Sequence, residues 1–328
     1  MRLEREGVMN LDDAQRAAVT RYHDELLAGF GRSFDIDRNA KSKQLSLGMR
    51  IASFIGALAL ASSVFFLFYQ FWGYFSTPVQ AVILVTAAMG SFLAATWIDQ
   101  RDGTGYFAKV AAFVSFACFA LNIFMLGQIF NITASDKALL PLAAFALLLA
   151  YGFDSRLLQA AGILCLIAFI AARVGSQSGM YWFYFGERPE NFFPAAVAIF
   201  LVPQFVSHAR FSEFAPLYRI FGMLGLFLPM LMLANWGQSS YLDLDRHLIE
   251  GFYQALGILG TAALIWHGAR NRWSDVVNTG VTLFTVFLYT RLFDWWWDAM
   301  PKYLFFLLTG LTAILLLIVL RRLRKGGA

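Results

Sequence analysis

The sequence predicts an all-α protein, a polytopic transmembrane helical bundle of about ten spans with both termini in the cytoplasm. Of the 328 residues, 59% are hydrophobic and only 14% are charged, whereas a soluble domain carries roughly a quarter charged residues. Apolar runs near 20 residues recur along the chain, and a helix of that length crosses about 30 Å of hydrocarbon. These runs do not alternate in polarity as β-barrel strands do. The lysines and arginines are also unevenly distributed between the connections.

The first 45 residues are polar and predict a cytoplasmic tail. Residues 10–30 read NLDDAQRAAVTRYHDELLAGF, in which Asn10 is a plausible helix cap. One apolar stripe at helical spacing follows, formed by Val19, Tyr22, Leu26 and Phe30. We expect an amphipathic helix that lies on the membrane or docks on the bundle. Binding of a partner protein through this helix is the alternative.

Ten apolar segments predict the transmembrane domain of residues 46–321. They run approximately over 47–71, 79–97, 108–130, 137–152, 156–173, 192–207, 215–235, 249–267, 275–292 and 302–320. The fourth segment is short and begins near Pro141, so a re-entrant segment is its alternative. Residues 322–328 predict a basic cytoplasmic C-terminal tail.

The positions of the basic residues test this count of spans. With the N-terminus inside and the spans alternating, 20 of the 26 Lys and Arg residues fall on the inner side and six on the outer side. Positive charge is retained in the cytoplasm, so this asymmetry supports ten spans with both termini inside. Topology also accounts for the net charge of +5, and we expect no nucleic-acid partner.

Signatures of metal or catalytic chemistry are absent from the sequence. It contains no H-E-x-x-H, no cysteine pair at zinc spacing, no G-x-S-x-G and no Walker-type phosphate loop. The four histidines are scattered, and each is more typical of an interfacial residue than of a ligand. We expect no catalytic residue, no metal and no cofactor, and an enzyme is the less favoured class.

Polar side chains collect where the outward-running spans end. Gln128 and Asn131 close the third span, Asn235 and Gln238 close the seventh, and Arg291 and Asp294 close the ninth. Residues three apart share one face of a helix if the helix persists that far. This spacing also allows Arg291 to pair with Asp294, which lowers the cost of holding both charges near hydrocarbon.

Two interpretations of these polar span ends are open. The simpler is that they reach headgroups and water, within an aromatic belt that includes Trp295, Trp296 and Trp297. The alternative is a shared, outward-facing polar pocket. The outer segments carry eight acidic residues against six basic ones, so a cationic ligand suits such a pocket slightly better than an anionic one.

The stretch LGQIFNI, followed by a short polar turn and ALLPLAAFALLLAY, resembles an uncharacterised bacterial family of predicted multi-pass membrane proteins. Members of that family carry G-Q-I-[FY]-N-[IL] at the end of a span, a polar N-terminal helix and a basic C-terminus. The resemblance implies a domain of unknown function and directs attention to Gln128 and Asn131. It implies no activity.

These observations predict a multi-pass protein of a bacterial inner membrane, with the lipid bilayer as its first partner. The first functional hypothesis is binding or permeation of a small molecule or lipid at the outward polar site. In it, Gln128 and Asn131 orient the ligand, and Arg291 with Asp294 gates or neutralises it. The second hypothesis is a structural or signalling protein that engages partners through its N-terminal helix. An enzyme acting on a lipid is the third.

Overall fold

The computed structural model describes residues 40–101, 105–208, 211 and 213–312, and positions 12, 15, 17–22 and 25 of the N-terminal tail. The side chains of residues 40–50, 53, 57, 61, 64, 68 and 295 lie outside this description. All regular structure in the described residues is helical, which confirms the all-α class. In the tail, positions 15, 17–22 and 25 are helical. The rest of the predicted N-terminal helix and the C-terminal tail lie outside the described residues.

From residue 40 onward the described residues form ten α-helices, numbered here α1 to α10. They are Ala40–Phe71, Thr77–Asp99, Tyr106–Ile129, Leu139–Phe153, Arg156–Gln177, Phe193–Phe205, Phe214–Asn235, Arg246–Arg270, Ser274–Trp296 and Lys302–Thr312, the last described as far as Thr312. Each corresponds to one predicted span. Eight are long and apolar enough to cross a membrane.

The two remaining helices are α6 and α10. Helix α6 has 13 residues, or about 20 Å at 1.5 Å per residue. Helix α4 corresponds to the short fourth segment, for which a re-entrant segment was the alternative. Together with the 3-10 turn Asp136–Ala138 before it, this apolar segment reaches 18 residues.

The chain divides into two compact units, residues 1–75 and 76–328. The first unit contains α1, a helix of 32 residues whose described side chains are exposed and largely apolar, among them Phe54, Leu58 and Phe66. Such a surface suits lipid contact. The second unit contains α2 to α10.

Within the second unit the helices pack in sequence order around α7. Helix α3 packs against α2 and α4, and α4 packs against α5. Helix α7 packs against α5, α6, α8 and α9. Buried side chains of α7, α8 and α9 form a hydrophobic core, which includes Phe227, Tyr253 and Phe287.

Ion pairs and hydrogen bonds place the helix ends in two groups. At the first, an ion pair joins Arg156 and Glu213 at the starts of α5 and α7, and Arg219 Nε lies 2.7 Å from Asp275 Oδ2 near the starts of α7 and α9. Lys109 Nζ, near the start of α3, lies 3.9 Å from an Asp154 carboxylate oxygen just after α4. We call this the Arg219 end.

The opposite end is closed by connections between the other helix termini. Arg173 near the end of α5 lies 3.4 Å from Asp136 before α4. Glu190, before α6, accepts a hydrogen bond of 2.5 Å from Ser240 Oγ, which follows α7. We call this the Glu190 end. Helices α3 to α9 therefore alternate in direction, and α6 runs between the two ends despite its length.

A close approach of backbones holds α6 against α7. A Cβ atom added at Gly222 of α7 would lie 2.7 Å from the backbone nitrogen of Phe200 and 2.8 Å from its Cα. Three residues further along α7, a Cβ atom added at Gly225 would lie 3.3 Å from the Cβ atom of Ala196 in α6. Small residues at such positions let membrane helices approach closely, and this contact fixes the height of α6 along α7.

Candidate functional site

Gln128 and Asn131 mark the point where α3 ends. The helix stops at Ile129, and Asn131 has a φ of +50°. The Asn131 N–H donates to the Gln128 carbonyl at 3.2 Å, and the Ile132 N–H donates to the Gly127 carbonyl at 2.8 Å. This pair of bonds is a Schellman helix stop with Asn131 in the left-handed position, which after glycine favours asparagine. The helix does not persist to Asn131, so the two side chains do not share a helical face.

We therefore expect Asn131→Gly to leave the stability of the protein unchanged or slightly raised, and Asn131→Val to lower it by about 1–2 kcal/mol. Glycine adopts a positive φ at no steric cost, whereas a β-branched residue does not. Thermal unfolding in detergent checks both variants. If Asn131→Gly abolishes ligand binding while stability is kept, the amide has a recognition role besides ending the helix.

Asn235 and Gln238 lie where α7 ends and the chain turns. The Nδ2 of Asn235 donates to the Leu231 carbonyl of its own helix at 2.7 Å, and the side chain is half-buried. Gln238 is exposed in the 3-10 turn Gly237–Ser239. Gln238 is therefore the more accessible of the two amides.

Arg291 and Asp294 lie in the last turns of α9. Arg291 is half-buried and Asp294 is exposed, and the neighbouring Phe293 stacks on Trp297 with ring centroids 4.8 Å apart. Since α9 begins at the Arg219 end, this pair lies at the Glu190 end. The pairing of Arg291 with Asp294 stays a prediction.

The six predicted site residues share one end of the bundle but do not lie on one set of packed helices. Helices α7 and α9, which carry four of them, pack against each other, whereas the main partners of α3 are α2 and α4. Gln128 and Asn131 are thus on a different part of the end surface from the other four.

The most extensively hydrogen-bonded group at this end is centred on Glu190. This residue lies in the 3-10 turn Pro189–Phe192, which leads into α6. Its Oε1 accepts from Ser240 Oγ at 2.5 Å, from the Tyr241 backbone N–H at 3.0 Å and from the Tyr253 hydroxyl at 3.4 Å. A carboxylate is also favoured near a helix N-terminus by the helix dipole. Two connections and α8 are thereby joined through one carboxylate oxygen.

Neighbouring side chains of the same connection brace this group. Asn191 is fully buried, and its Nδ2 donates to the Phe185 carbonyl at 2.9 Å. Its Oδ1 accepts from the Tyr241 hydroxyl at 3.0 Å. Arg188 donates to the Ser240 carbonyl, and its guanidinium carbon lies 5.3 Å from the centroid of the Tyr241 ring. The 189–192 and 237–241 connections are held together as one unit.

Glu250 extends the group along α8. Asp245 caps this helix by accepting from the His247 N–H at 2.9 Å. Glu250 Oε1 accepts from Arg246 Nε at 2.6 Å and from the Gly237 N–H at 3.2 Å. The carboxylate is buried and its charge is compensated by Arg246. Its role is to hold the turn after α7 against α8.

The second oxygen of Glu190 differs from all of these atoms. Oε2 is buried and has no hydrogen-bond partner among the residues that the structure describes. A buried carboxylate oxygen without a donor costs free energy, about 1–3 kcal/mol or more. Oε2 thus remains an unused acceptor among the described residues.

The sequence did not identify this group, because its members lie far apart in the chain. Glu190 and Ser240 are separated by 50 positions and Glu190 and Tyr253 by 63. The sequence places Glu190 and Glu250 only among the acidic outer residues. The available signal was polar and aromatic enrichment in the two connections 178–192 and 236–245, which an aromatic belt explains equally well.

Metal chemistry gains no support from the described part of the chain, where no group of three or more His, Cys, Asp or Glu side chains is placed to share a metal ion. His247 Nδ1 lies 3.7 Å from Glu250 Oε2, a single contact at the surface. At the Arg219 end, His208 Nε2 lies 2.8 Å from the Tyr151 hydroxyl and its Nδ1 lies 2.7 Å from the Val206 carbonyl. Both ring nitrogens of His208 thus have hydrogen-bond partners within the protein.

Residues 3–159 match the model of a family described as a predicted membrane protein, DUF2157. No curated protein and no solved structure matches the chain. The matched segment includes Gln128 and Asn131, whereas Glu190 lies beyond it. Together with the eight helices of membrane-crossing length, the match confirms, over residues 3–159, the resemblance to a family of predicted membrane proteins of unknown function.

Proposed function

We propose that this membrane protein binds a small molecule or lipid at the Glu190 end of its helical bundle. The observation that carries the proposal is the buried, unpartnered Oε2 of Glu190 within a hydrogen-bonded group. Ligand sites in helical bundles are made of a few well-placed polar groups among apolar and aromatic ones. Tyr241 and Tyr253 supply aromatic surface beside this carboxylate.

In this proposal the predicted polar residues form the approach to the site. Gln238 and Asn235 adjoin the turn whose Ser240 bonds Glu190, and Arg291 and Asp294 lie on the neighbouring α9. Gln128 and Asn131 lie on the same end surface at the end of α3. Exposed amides at such positions can bind headgroups or polar ligands by hydrogen bonds.

The proposal includes the location of the protein. The Glu190 end faces away from the cytoplasm of a bacterium, with the protein in the inner membrane and both termini inside across ten spans. The asymmetry of basic residues supports this orientation. Reporter fusions after residues 240 and 272 test this orientation. A cytoplasmic signal at residue 240 would show that the bundle has the opposite orientation in the membrane.

Removing the Glu190 carboxylate should remove the bound molecule. We expect native mass spectrometry of the purified wild-type protein to show a bound lipid or small molecule, and Glu190→Ala to lower its occupancy about tenfold or more. A hydrogen bond to a charged group contributes about 1.5–3 kcal/mol, and 1.4 kcal/mol is a factor of ten. Asp243→Ala, at an exposed acid of the next connection, is the matched control and should bind as the wild type does.

The rim residues are tested in the same assay. Gln128 and Gln238 are exposed, so Gln128→Ala and Gln238→Ala should leave protein abundance unchanged. A lower occupancy in either variant adds that residue to the site. Equal occupancy in the wild type, Glu190→Ala and Asp243→Ala would contradict the proposal.

A second candidate function, a structural or signalling partner protein, is favoured by the N-terminal tail. Val19 and Tyr22 lie three positions apart on its helical residues and are 49% and 65% exposed. Paired apolar side chains on one helix face are typical of docking helices. If crosslinking in membranes captures a protein through this tail, and Val19→Asp with Tyr22→Asp releases it, this candidate is supported.

A further inference from the structure

Four carboxylates of the described residues are not exposed, and three of them have an arginine partner. These three are Asp136, whose Oδ2 lies 3.4 Å from Arg173, Glu250, whose Oε1 lies 2.6 Å from Arg246, and Asp275, whose Oδ2 lies 2.7 Å from Arg219. The fourth is Glu190. The pattern follows from the high cost of placing an uncompensated charge away from water.

Glu190 has no such compensation within the described chain. None of the ion pairs between described residues includes it. The nearest arginine in the sequence, Arg188, directs its guanidinium to the Ser240 carbonyl and the Tyr241 ring. The donors that reach Oε1 are a hydroxyl, a backbone N–H and a phenol, all of them neutral. Glu190 therefore lacks a positively charged partner in an ion pair among the described residues.

The missing partner must also donate a hydrogen bond. Oε2 is buried and unpartnered, and a charge-assisted N–H···O bond to a carboxylate is about twice as strong as a neutral one. A metal ion would need several oxygen ligands, and the described residues supply no cluster of three acidic, histidine or cysteine side chains for one.

We propose that the ligand of the Glu190 site carries a primary ammonium group, which donates an N–H to Glu190 Oε2 and supplies the missing charge. This inference rests on the proposed binding function and names its ligand class. Primary ammonium groups occur both in ethanolamine-type lipid headgroups and in soluble amines. Both sources share the chemistry that the site recognises, and the bilayer boundary makes both accessible.

The test compares ammonium groups with and without N–H donors. Purified wild-type protein is titrated with ethanolamine hydrochloride or with tetramethylammonium chloride at equal ionic strength, and the unfolding temperature is measured. In the lipid arm, nanodiscs of phosphatidylcholine alone are compared with nanodiscs that also contain phosphatidylethanolamine. A ligand that binds only the native state raises the unfolding temperature with concentration.

We expect N–H-bearing ammonium groups to stabilise the wild type and the quaternary ones not to do so. A response in the lipid arm alone identifies a headgroup, and a response in the soluble arm alone identifies a free amine. Glu190→Gln keeps the shape but removes the charge, so its apparent affinity should fall about tenfold or more. Glu187→Gln, an exposed acid in the same connection, should respond as the wild type does.

Two results would overturn the inference: equal responses to primary and quaternary ammonium in both arms, or an undiminished response in Glu190→Gln. The first uses only the wild type and so does not depend on the folding of a variant. A ligand lost in Glu190→Ala but kept in Glu190→Gln would refute the ammonium class and leave the site intact. No bound ligand in any preparation would refute the binding function itself.

Discussion

Arg219→Ala is expected to lower the free energy of unfolding by about 3–5 kcal/mol, the usual loss when one partner of a buried ion pair is removed. The Arg219 guanidinium donates two hydrogen bonds to the Asp275 carboxylate, from Nε to Oδ2 at 2.7 Å and from Nη2 to Oδ1 at 3.2 Å. The two side chains are only 13% and 12% exposed, and the guanidinium lies 4.6 Å from the Trp273 ring centroid. The variant leaves the Asp275 carboxylate without its partner between α7 and α9.

Unfolding of the purified protein in mixed micelles measures this loss, and the chain offers a matched control. Arg156 and Glu213 form an ion pair at the same end, but their side chains are 61% and 49% exposed. Arg156→Ala should therefore cost less than about 1 kcal/mol. Combining Arg219→Leu with Asp275→Leu should be less damaging than Arg219→Ala alone, because no charge is left buried. A double variant as unstable as the sum of the two single ones would contradict the explanation.

Gly222→Ala should be the second most damaging of these substitutions, at about 1–3 kcal/mol or more. The added methyl group would meet backbone atoms of Phe200 at 2.7 and 2.8 Å, and backbone atoms cannot move unless α6 moves with them. Because the Glu190 turn leads directly into α6, the variant should also weaken ligand binding. Thermal unfolding and the ammonium titration report the two effects separately.

Two other glycines provide comparison variants for this prediction. A Cβ atom at Gly251 of α8 would meet nothing within 4 Å, so Gly251→Ala should be neutral or stabilise the helix by about 0.5–1 kcal/mol. At Gly162 the nearest atoms belong to the Leu147 side chain, at 2.7 and 2.9 Å. Gly162→Ala should therefore be relieved by Leu147→Ala, whereas Phe200→Ala should not rescue Gly222→Ala. Rescue in both cases would show that side chains alone set the α6–α7 distance.

The sequence predicted the helices well because hydrophobicity decides whether a segment enters the membrane. Each of the ten predicted segments contains one described helix, but several helix ends differ from the predicted ends. Helix α8 begins at Arg246 rather than near residue 249, because Asp245 caps it and Glu250 is held by Arg246 and Gly237. A reading of apolar runs stops at the first charged residues and misses that turn.

The candidate site was predictable only in its position along the membrane normal. The polar residues at the ends of α3, α7 and α9 lie at the Glu190 end, which is also the end of the proposed site. The grouping of Glu190 with Ser240, Tyr241 and Tyr253 depends on which connections meet, and no local pattern encodes that. Asn131 has a structural role that its spacing from Gln128 did not predict, since its φ of +50° identifies a helix stop, and its role in ligand recognition stays a prediction.

The short helix α6 has a consequence for the surrounding bilayer. Ala196 faces Gly225, so α6 begins three residues from this contact while α7 continues for ten more residues to Asn235. Along α7, the start of α6 therefore lies about 10 Å short of the end of α7, by the helix rise of 1.5 Å per residue. Hydrophobic mismatch of this kind is relieved by local thinning of the membrane. The protein is thus expected to draw lipid headgroups inward beside the start of α6, and its stability should depend on the acyl-chain length of the bilayer that holds it.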